Sequence, residues 1–145
     1  MSQLSTKRIE RGFNWAKEAS LNSNFHQHHL GAALVYRGSL LATGFNSNKT
    51  SPIQKKFNRE RNFDVEASYA VNSLHAECAC LNKVKYLDID FSKANLFIYR
   101  EWKNGVKAMA KPCAACMAFI KKLGIKDIYY TTNDGWAYER IENES

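Results

Sequence analysis

The sequence of 145 residues contains no run of the roughly 20 apolar residues that a membrane-spanning helix needs. Residues 1–11 are polar and charged, which is unlike a secretory signal peptide. We therefore expect no membrane partner and a cytoplasmic location. The chain also lacks internal repeats and low-complexity tracts, and its length fits a single domain over residues 1–145 rather than two large ones.

Acidic residues are in short supply. Fourteen Asp and Glu stand against 21 Lys and Arg, which gives a formal net charge of +7. This charge favours anionic partners such as nucleotides, nucleic acid or acidic surfaces without choosing among them. Residues 46–63 are rich in Lys and Arg, and neither helical nor strand periodicity survives there. We predict a long surface loop that is either an anion-binding segment or only solvated charge.

Cysteine is limited to four residues, which form one C-x-C and one C-x-x-C pattern: Cys78, Cys80, Cys113 and Cys116. A disulfide-stapled secreted scaffold is not expected, because the chain shows no secretion signal. The pattern instead indicates metal binding or redox chemistry.

Hydrophobic periodicity predicts a three-layer α/β domain with a five-stranded mixed sheet. Helices are expected over residues 5–21, 74–85 and 112–124, and strands over residues 30–36, 40–45, 94–99, 125–131 and 136–141. Ser73 is predicted to cap the second helix, and Pro112 to lie in the first turn of the third. Strands joined through a helix should be parallel, and the two hairpins should add antiparallel pairs.

Two short motifs at predicted helix starts carry the chemistry: His75-Ala76-Glu77, and Pro112 through Cys116 with the sequence P-C-A-A-C. Two cysteines three residues apart at a helix start can direct both sulfurs at one metal ion, and the positive helix end favours thiolates. Adding a histidine from a neighbouring helix gives three ligands, which is typical of a catalytic zinc site whose fourth position is left for water. A carboxylate in the same first turn can then move protons.

These motifs resemble the signature of the zinc-dependent cytidine and deoxycytidylate deaminase superfamily. The likeness extends to residues 30–35 and 44–46, and covers most of the chain from residue 30 to residue 141. It implies a cytidine deaminase-like α/β/α fold and a Zn²⁺ cofactor. It also implies these site residues: His75, Cys113 and Cys116 as zinc ligands, Glu77 as general acid and base, Asn46 on the sugar, and the backbone N–H of Ala76 on the base carbonyl.

The resemblance implies a hydrolytic deaminase that converts a cytosine nucleotide, with dCMP favoured, into the uracil nucleotide and ammonia. A histidine at position 75, where free cytidine deaminases typically have cysteine, favours a nucleotide or polynucleotide, whereas the compact last hairpin favours a small substrate. One alternative is deamination of cytosine or adenine in single-stranded DNA or RNA. Another is a non-catalytic, zinc-stabilised nucleic-acid-binding module. Family members commonly form dimers or rings, so a homo-oligomer is also expected.

A closed structural zinc site is the competing interpretation of the motifs. Cys78 or Cys80 would then be the fourth ligand, since His75 and Cys78 lie on one helical face. That interpretation leaves Glu77 without a role, so we favour catalysis and treat both cysteines as small buried residues. A redox C-x-x-C is less favoured, because such a motif should follow a first strand and does not need H-x-E.

Two further substrate-binding candidates rest on position. His26, His28 and His29 precede the first strand, where the family has its substrate loop, and His29 is the candidate taken from this group. The alternative is that all three are surface residues. Tyr130, in the last hairpin, is a candidate for stacking on the base, and the alternative for it is a core position.

Overall fold

The computed structural model describes residues 4–23, 28–47, 75–102 and 104–141. These residues form three α-helices and five strands, in the predicted order. The elements are α1 (Thr6–Ser20), β1 (His28–Tyr36), β2 (Ser39–Phe45), α2 (Ala76–Asn82), β3 (Ala94–Trp102), α3 (Ala114–Leu123), β4 (Asp127–Thr131) and β5 (Trp136–Arg140). A short 3-10 helix that the periodicity does not predict, Phe91–Lys93, precedes β3.

The strands form one mixed sheet in the order β2-β1-β3-β4-β5. β1 pairs antiparallel with both β2 and β3, and β4 pairs antiparallel with β5. β3 and β4, which are joined through α3, are parallel. The five-stranded mixed sheet is therefore confirmed, and so is the rule that helix-linked strands run the same way.

Alternation along β3 shows how the sheet separates two cores. Leu96 and Ile98 belong to the cluster under α2 and α3. Phe97 and Tyr99 point the other way, into the cluster that α1 covers. Since successive strand residues face opposite sides, one strand serves both layers. This arrangement confirms the three-layer α/β/α architecture.

Two predicted helix starts need correction. α2 begins at Ala76, after His75 in an extended conformation (φ −89°, ψ 146°), and ends at Asn82 rather than near residue 85. Ser73, the predicted cap, lies outside the described residues. Pro112 does not enter α3, because Cys113 is itself extended (ψ 169°) and the helix starts at Ala114. In both cases the helix begins directly after a residue of the chemical motifs.

The third strand extends beyond its predicted end at residue 99. Arg100, Glu101 and Trp102 continue β3 because they pair with the first residues of β1. Most of the predicted loop over residues 46–63 lies outside the described residues. None of the helices in the described part of the chain combines the length and apolar character that crossing a membrane requires.

Gly44 lets the backbone of α2 sit directly on β2. A Cβ at this position would lie 2.5 Å from the carbonyl oxygen of Ala76 and 3.0 Å from the carbonyl carbon of Ala79. Both of these neighbours are backbone atoms, so α2 would have to move. Gly44 therefore fixes the distance between the sheet and the start of the helix that carries His75.

We expect Gly44→Ala to lower the free energy of unfolding by about 1–3 kcal/mol, as overpacking of a tight contact typically does. Denaturant unfolding of the two proteins measures this change. Gly135→Ala is the matched control, because a Cβ there meets nothing within 4 Å, and it should change stability by less than about 0.5 kcal/mol. Equal stability of the two variants would contradict the contact.

Candidate metal centre and active site

Three side chains from two helix starts converge on one point. The Nδ1 atom of His75, at the start of α2, lies 3.3 Å from Sγ of Cys116 and 3.5 Å from Sγ of Cys113. All three donor atoms lie within 4.8 Å of one another. His75 and Cys113 are the extended residues just before α2 and α3, and Cys116 lies in the first turn of α3. The sequence-predicted ligand set is thus brought together.

The donor set fits zinc. One imidazole nitrogen and two cysteine sulfurs are ligands that zinc prefers, at about 2.0–2.1 Å for nitrogen and about 2.3 Å for sulfur. A tetrahedral site with these bond lengths has nitrogen-to-sulfur edges of about 3.5 Å, close to the two distances in the structure. Little rearrangement would be needed to hold the ion.

The electrostatics of the two cysteines favour a thiolate at this site. A hydrogen bond from Cys116, helped by His75, lowers the pKa of the Cys113 thiol to about 4. The pKa of Cys116 is raised, because its own bonds to Cys113 and Cys78 and its burial favour the protonated thiol. These shifts favour the thiolate form at Cys113, and thiolate is the form that ligates metal.

Glu77 is buried beside this group, with only 3% of its surface exposed. Its Oε1 atom is buried and has no hydrogen-bond partner among the described residues. Burial raises the pKa of its carboxyl group, while the attraction of His75 opposes that shift. A buried carboxyl oxygen without a partner is costly, which indicates that a ligand or solvent molecule completes the site.

The two remaining cysteines occupy different places. Cys80 is fully buried under the sheet, and its thiol donates to the carbonyl of Ala42 at 3.4 Å. Cys78 is also buried, but its sulfur contacts Sγ of Cys116 at 3.1 Å, a neighbour that the sequence does not reveal. Within the described residues, the converging metal-ligand group does not include Cys78.

Arg100 is a site residue that the sequence analysis misses. It lies in the extension of β3, and burial lowers the pKa of its guanidinium, while electrostatic attraction to Glu77 opposes that shift. Its Nη1 donates to the carbonyl of Met109 at 3.2 Å, and its guanidinium lies 5.1 Å from the ring centre of Trp102. Its Nε is buried without a hydrogen-bond partner in the described chain. The sequence contains one indication of this role: Arg100 directly follows the predicted end of a strand, and α/β sheets often bind ligands at strand ends.

Asn46 closes the end of the first hairpin. Its Oδ1 accepts hydrogen bonds from the backbone N–H of Leu30, at 2.9 Å, and from the hydroxyl of Ser23. Its Nδ2 donates to the carbonyl of His28 at 3.3 Å. An amide nitrogen carries two hydrogens, so this bond leaves one donor for another partner.

The other three predicted substrate-binding residues have distinct settings. Ala76 is fully buried as the first residue of α2, where helix N–H groups have no intrahelical acceptor. His29 lies on β1, opposite Glu101 of β3. Tyr130 is buried in the core under α2 and α3, and its hydroxyl donates to Glu139 at 3.3 Å.

An α/β/α domain with a three-ligand metal site at two helix starts defines a class of zinc-binding α/β proteins. The family model described as "Cytidine and deoxycytidylate deaminase zinc-binding region" matches residues 6–132. The chain belongs to this family. The matched residues include the family's zinc-binding region, and His75, Cys113 and Cys116 are placed to bind the ion.

Solved structures of deaminases share the fold. The dCMP deaminase of cyanophage S-TIM5, in apo form, is 23% identical, covers 89% of this chain and 86% of its own, and has a TM-score of 0.58. The cytidine deaminase of Burkholderia pseudomallei is 16% identical, covers 94% of this chain and 93% of its own, and has a TM-score of 0.61. The S-TIM5 enzyme in complex with dCMP and dUMP is 21% identical, covers 90% of this chain and 85% of its own, and has a TM-score of 0.54. No curated protein sequence is a significant match.

Proposed function

We propose that the chain is a zinc-dependent hydrolytic deaminase that converts dCMP and water into dUMP and ammonia. The observation that carries this proposal is the buried Oε1 of Glu77, which has no partner in the described residues and lies beside the metal-ligand group. A structural zinc site has no use for such a group. A hydrolytic site needs a carboxylate that can take up and release a proton.

Glu77 moves the protons of the proposed reaction. Its carboxylate takes a proton from the attacking water and passes it to the ring nitrogen of the cytosine. The water oxygen bonds to the ring carbon that bears the amino group. A second transfer then moves the remaining proton of this oxygen to the amino group, the carbon–nitrogen bond breaks, and ammonia leaves while the oxygen stays on the ring carbon as a carbonyl. Burial raises the pKa of Glu77 and so brings it nearer to neutrality, which suits a group that both accepts and donates.

The ligand residues supply the setting for this transfer. His75, Cys113 and Cys116 would hold the zinc ion, which as a Lewis acid lowers the pKa of water towards about 7. The backbone N–H of Ala76 is proposed to meet the base carbonyl, and the remaining amide hydrogen of Asn46 the sugar. His29 and Tyr130 stay proposed contacts of the substrate.

A nucleotide is favoured over a nucleoside by charge. Arg100 has a buried guanidinium nitrogen without a hydrogen-bond partner in the described chain, and it lies near enough to Glu77 for the two charges to interact. A phosphate would satisfy such a donor. The structural relative in complex with dCMP and dUMP supports the same choice, as does a histidine, rather than a cysteine, at position 75.

A deamination screen tests this function. Zinc-loaded protein is incubated with cytidine, deoxycytidine, CMP, dCMP and a cytosine-containing oligonucleotide, while ammonia and the base product are measured. We expect the highest kcat/KM with dCMP. Equal rates with deoxycytidine would remove the nucleotide assignment. The absence of ammonia from all of these compounds and from their adenine counterparts, tested in the same way on protein that holds zinc, would favour the non-catalytic binding module.

The net charge of +7 keeps single-stranded nucleic acid as a second candidate substrate. Binding of the two substrates should depend differently on salt, because the protein would contact several phosphates of a polynucleotide but only one of a mononucleotide. If the oligonucleotide is the better substrate and its KM rises steeply with salt, the polynucleotide alternative is correct.

We also propose a cytoplasmic location, a single domain over residues 1–145, and a homo-oligomeric assembly. The location rests on the C-x-C and C-x-x-C cysteine pattern, which indicates metal or redox chemistry and not a disulfide scaffold. The assembly rests on the family resemblance and can be tested by sedimentation analysis.

A further inference from the structure

A cavity of about 440 Å³ lies on the α1 side of the sheet, across from the metal-ligand group. It opens where β1 ends and β3 begins, between the first turns of α1 and the turn that joins β1 to β2. Val35 and Phe97 line it and belong to the core under α1, whereas Cys116 belongs to the core on the opposite face. The cavity is therefore separate from the proposed active site.

Positive charge dominates this cavity. Among the described residues that line it, one is a carboxylate, Asp127, and five are cationic: Arg8, Arg11, Arg37, Lys93 and Arg140. Asp127 is already engaged, because Arg140 contacts both of its oxygens, at 2.9 and 3.1 Å, and Tyr138 donates to one of them. In the part of the chain that the structure describes, Arg140 is the member of the five that forms an ion pair.

The left-handed backbone conformation of Arg37 is an independent indication that its side chain contributes to binding. The β1–β2 turn places Arg37 at φ 52° and Gly38 at φ 83°. Such two-residue turns favour Asn or Gly at the first position, and other residues pay about 1 kcal/mol or more for a left-handed conformation. Gly38 brings the same turn near Arg8, whose Nη2 would lie 3.9 Å from an added Cβ. Arg8 and the Arg37–Gly38 turn therefore lie together at the cavity, and the guanidinium of Arg37 lies 5.3 Å from the ring centre of Tyr36.

The walls below these charges are apolar. Phe97 is fully buried and Val35 nearly so, and the indole of Trp15 lies beside them with the guanidinium of Arg11 at 5.9 Å from its ring centre. A volume of about 440 Å³ falls in the range of small-molecule sites and exceeds what one inorganic phosphate fills. The site fits a molecule with an apolar or aromatic body and an anionic end.

We propose that this cavity binds a small organic phosphate, with the phosphate held by Arg8 and Arg37 and the organic body packed against Trp15 and Val35. Arginine suits this role, because its planar guanidinium can donate two hydrogen bonds to one phosphate. The proposal concerns a second ligand site and does not depend on the deaminase activity.

Isothermal titration calorimetry of the zinc-loaded protein with 1-naphthyl phosphate tests the site, at constant ionic strength. We expect saturable binding that is at least about ten-fold tighter than that of inorganic phosphate or uncharged 1-naphthol, because each of these lacks one half of the ligand. Comparable affinity for 1-naphthol or for inorganic phosphate would overturn the two-part site.

The double variant Arg8→Gln/Arg37→Asn should weaken the binding of 1-naphthyl phosphate by at least about ten-fold, since a charged hydrogen bond contributes that much or more. Asn suits the left-handed turn, so the variant should not lose thermal stability. Lys121→Gln/Lys122→Gln is the matched control: it removes two exposed charges at the end of α3 and should change affinity by less than about two-fold. Equal losses in both double variants would reduce the effect to general electrostatics and overturn the site.

A third variant assigns the apolar half. Trp15→Ala should weaken 1-naphthyl phosphate binding and leave that of inorganic phosphate unchanged, and equal weakening of both would contradict the proposed packing. Oligodeoxythymidylate serves as a competitor, because a nucleic acid offers the same phosphate chemistry. Displacement of 1-naphthyl phosphate by the oligonucleotide, together with tighter binding of the oligonucleotide than of 1-naphthyl phosphate, would assign the site to a polymer instead.

Discussion

Glu77→Gln is expected to lower kcat for dCMP by about 10³-fold, because it removes the group that accepts and delivers the proton. The amide has nearly the same shape as the carboxyl group that it replaces. The zinc content should therefore stay near one ion per chain, and the thermal midpoint should shift by no more than about 4 °C. Steady-state kinetics, metal analysis and thermal unfolding of the same preparation measure the three quantities.

Glu18→Gln is the control for this variant, since Glu18 is an exposed glutamate on α1, on the far side of the sheet. It should leave kcat unchanged. If Glu77→Gln kept most of the activity, Glu77 would be no more than a buried neighbour of the metal. If it lost zinc together with activity, the carboxyl group would support the ligands and not move a proton.

Much of the fold follows from local sequence patterns. The apolar residues of α1 and of the two hairpins follow regular spacing because each element packs on the sheet core. In the same way, Leu96–Tyr99 alternates between the two cores on opposite faces of the sheet. The helix boundaries are less predictable. The backbone of α2 packs directly against Gly44 on β2, which is far from α2 in the sequence, and no local pattern reports such a contact.

The candidate site also has some parts that the sequence predicts and others that it does not. His75, Cys113 and Cys116 are recognisable from the sequence because zinc ligands need particular residue types at particular spacings. The contact between Cys78 and Cys116 and the position of Arg100 near Glu77 depend on how α2, α3 and β3 pack together. The basic cavity is hidden for the same reason, since its five cations are scattered from Arg8 to Arg140 along the chain.

Removal of a single sulfur distinguishes an open zinc site from a closed one. Cys113→Ala should weaken zinc binding by at least about 100-fold, because it deletes one of three ligands. Cys78→Ala should change zinc affinity by less than about ten-fold, since its sulfur contacts Cys116 without joining the converging group in the described chain. Competition with a chromogenic zinc chelator measures both affinities.

Cys80→Ala completes the comparison, because it removes an equally buried sulfur that bonds to Ala42 and not to a ligand residue. It should match the wild type in zinc affinity, and any loss of stability that it shares with Cys78→Ala reports on packing alone. A loss of zinc in Cys78→Ala as large as that in Cys113→Ala would make Cys78 the fourth ligand. The ion would then have four protein ligands and no position for water, and hydrolysis at this centre would be ruled out.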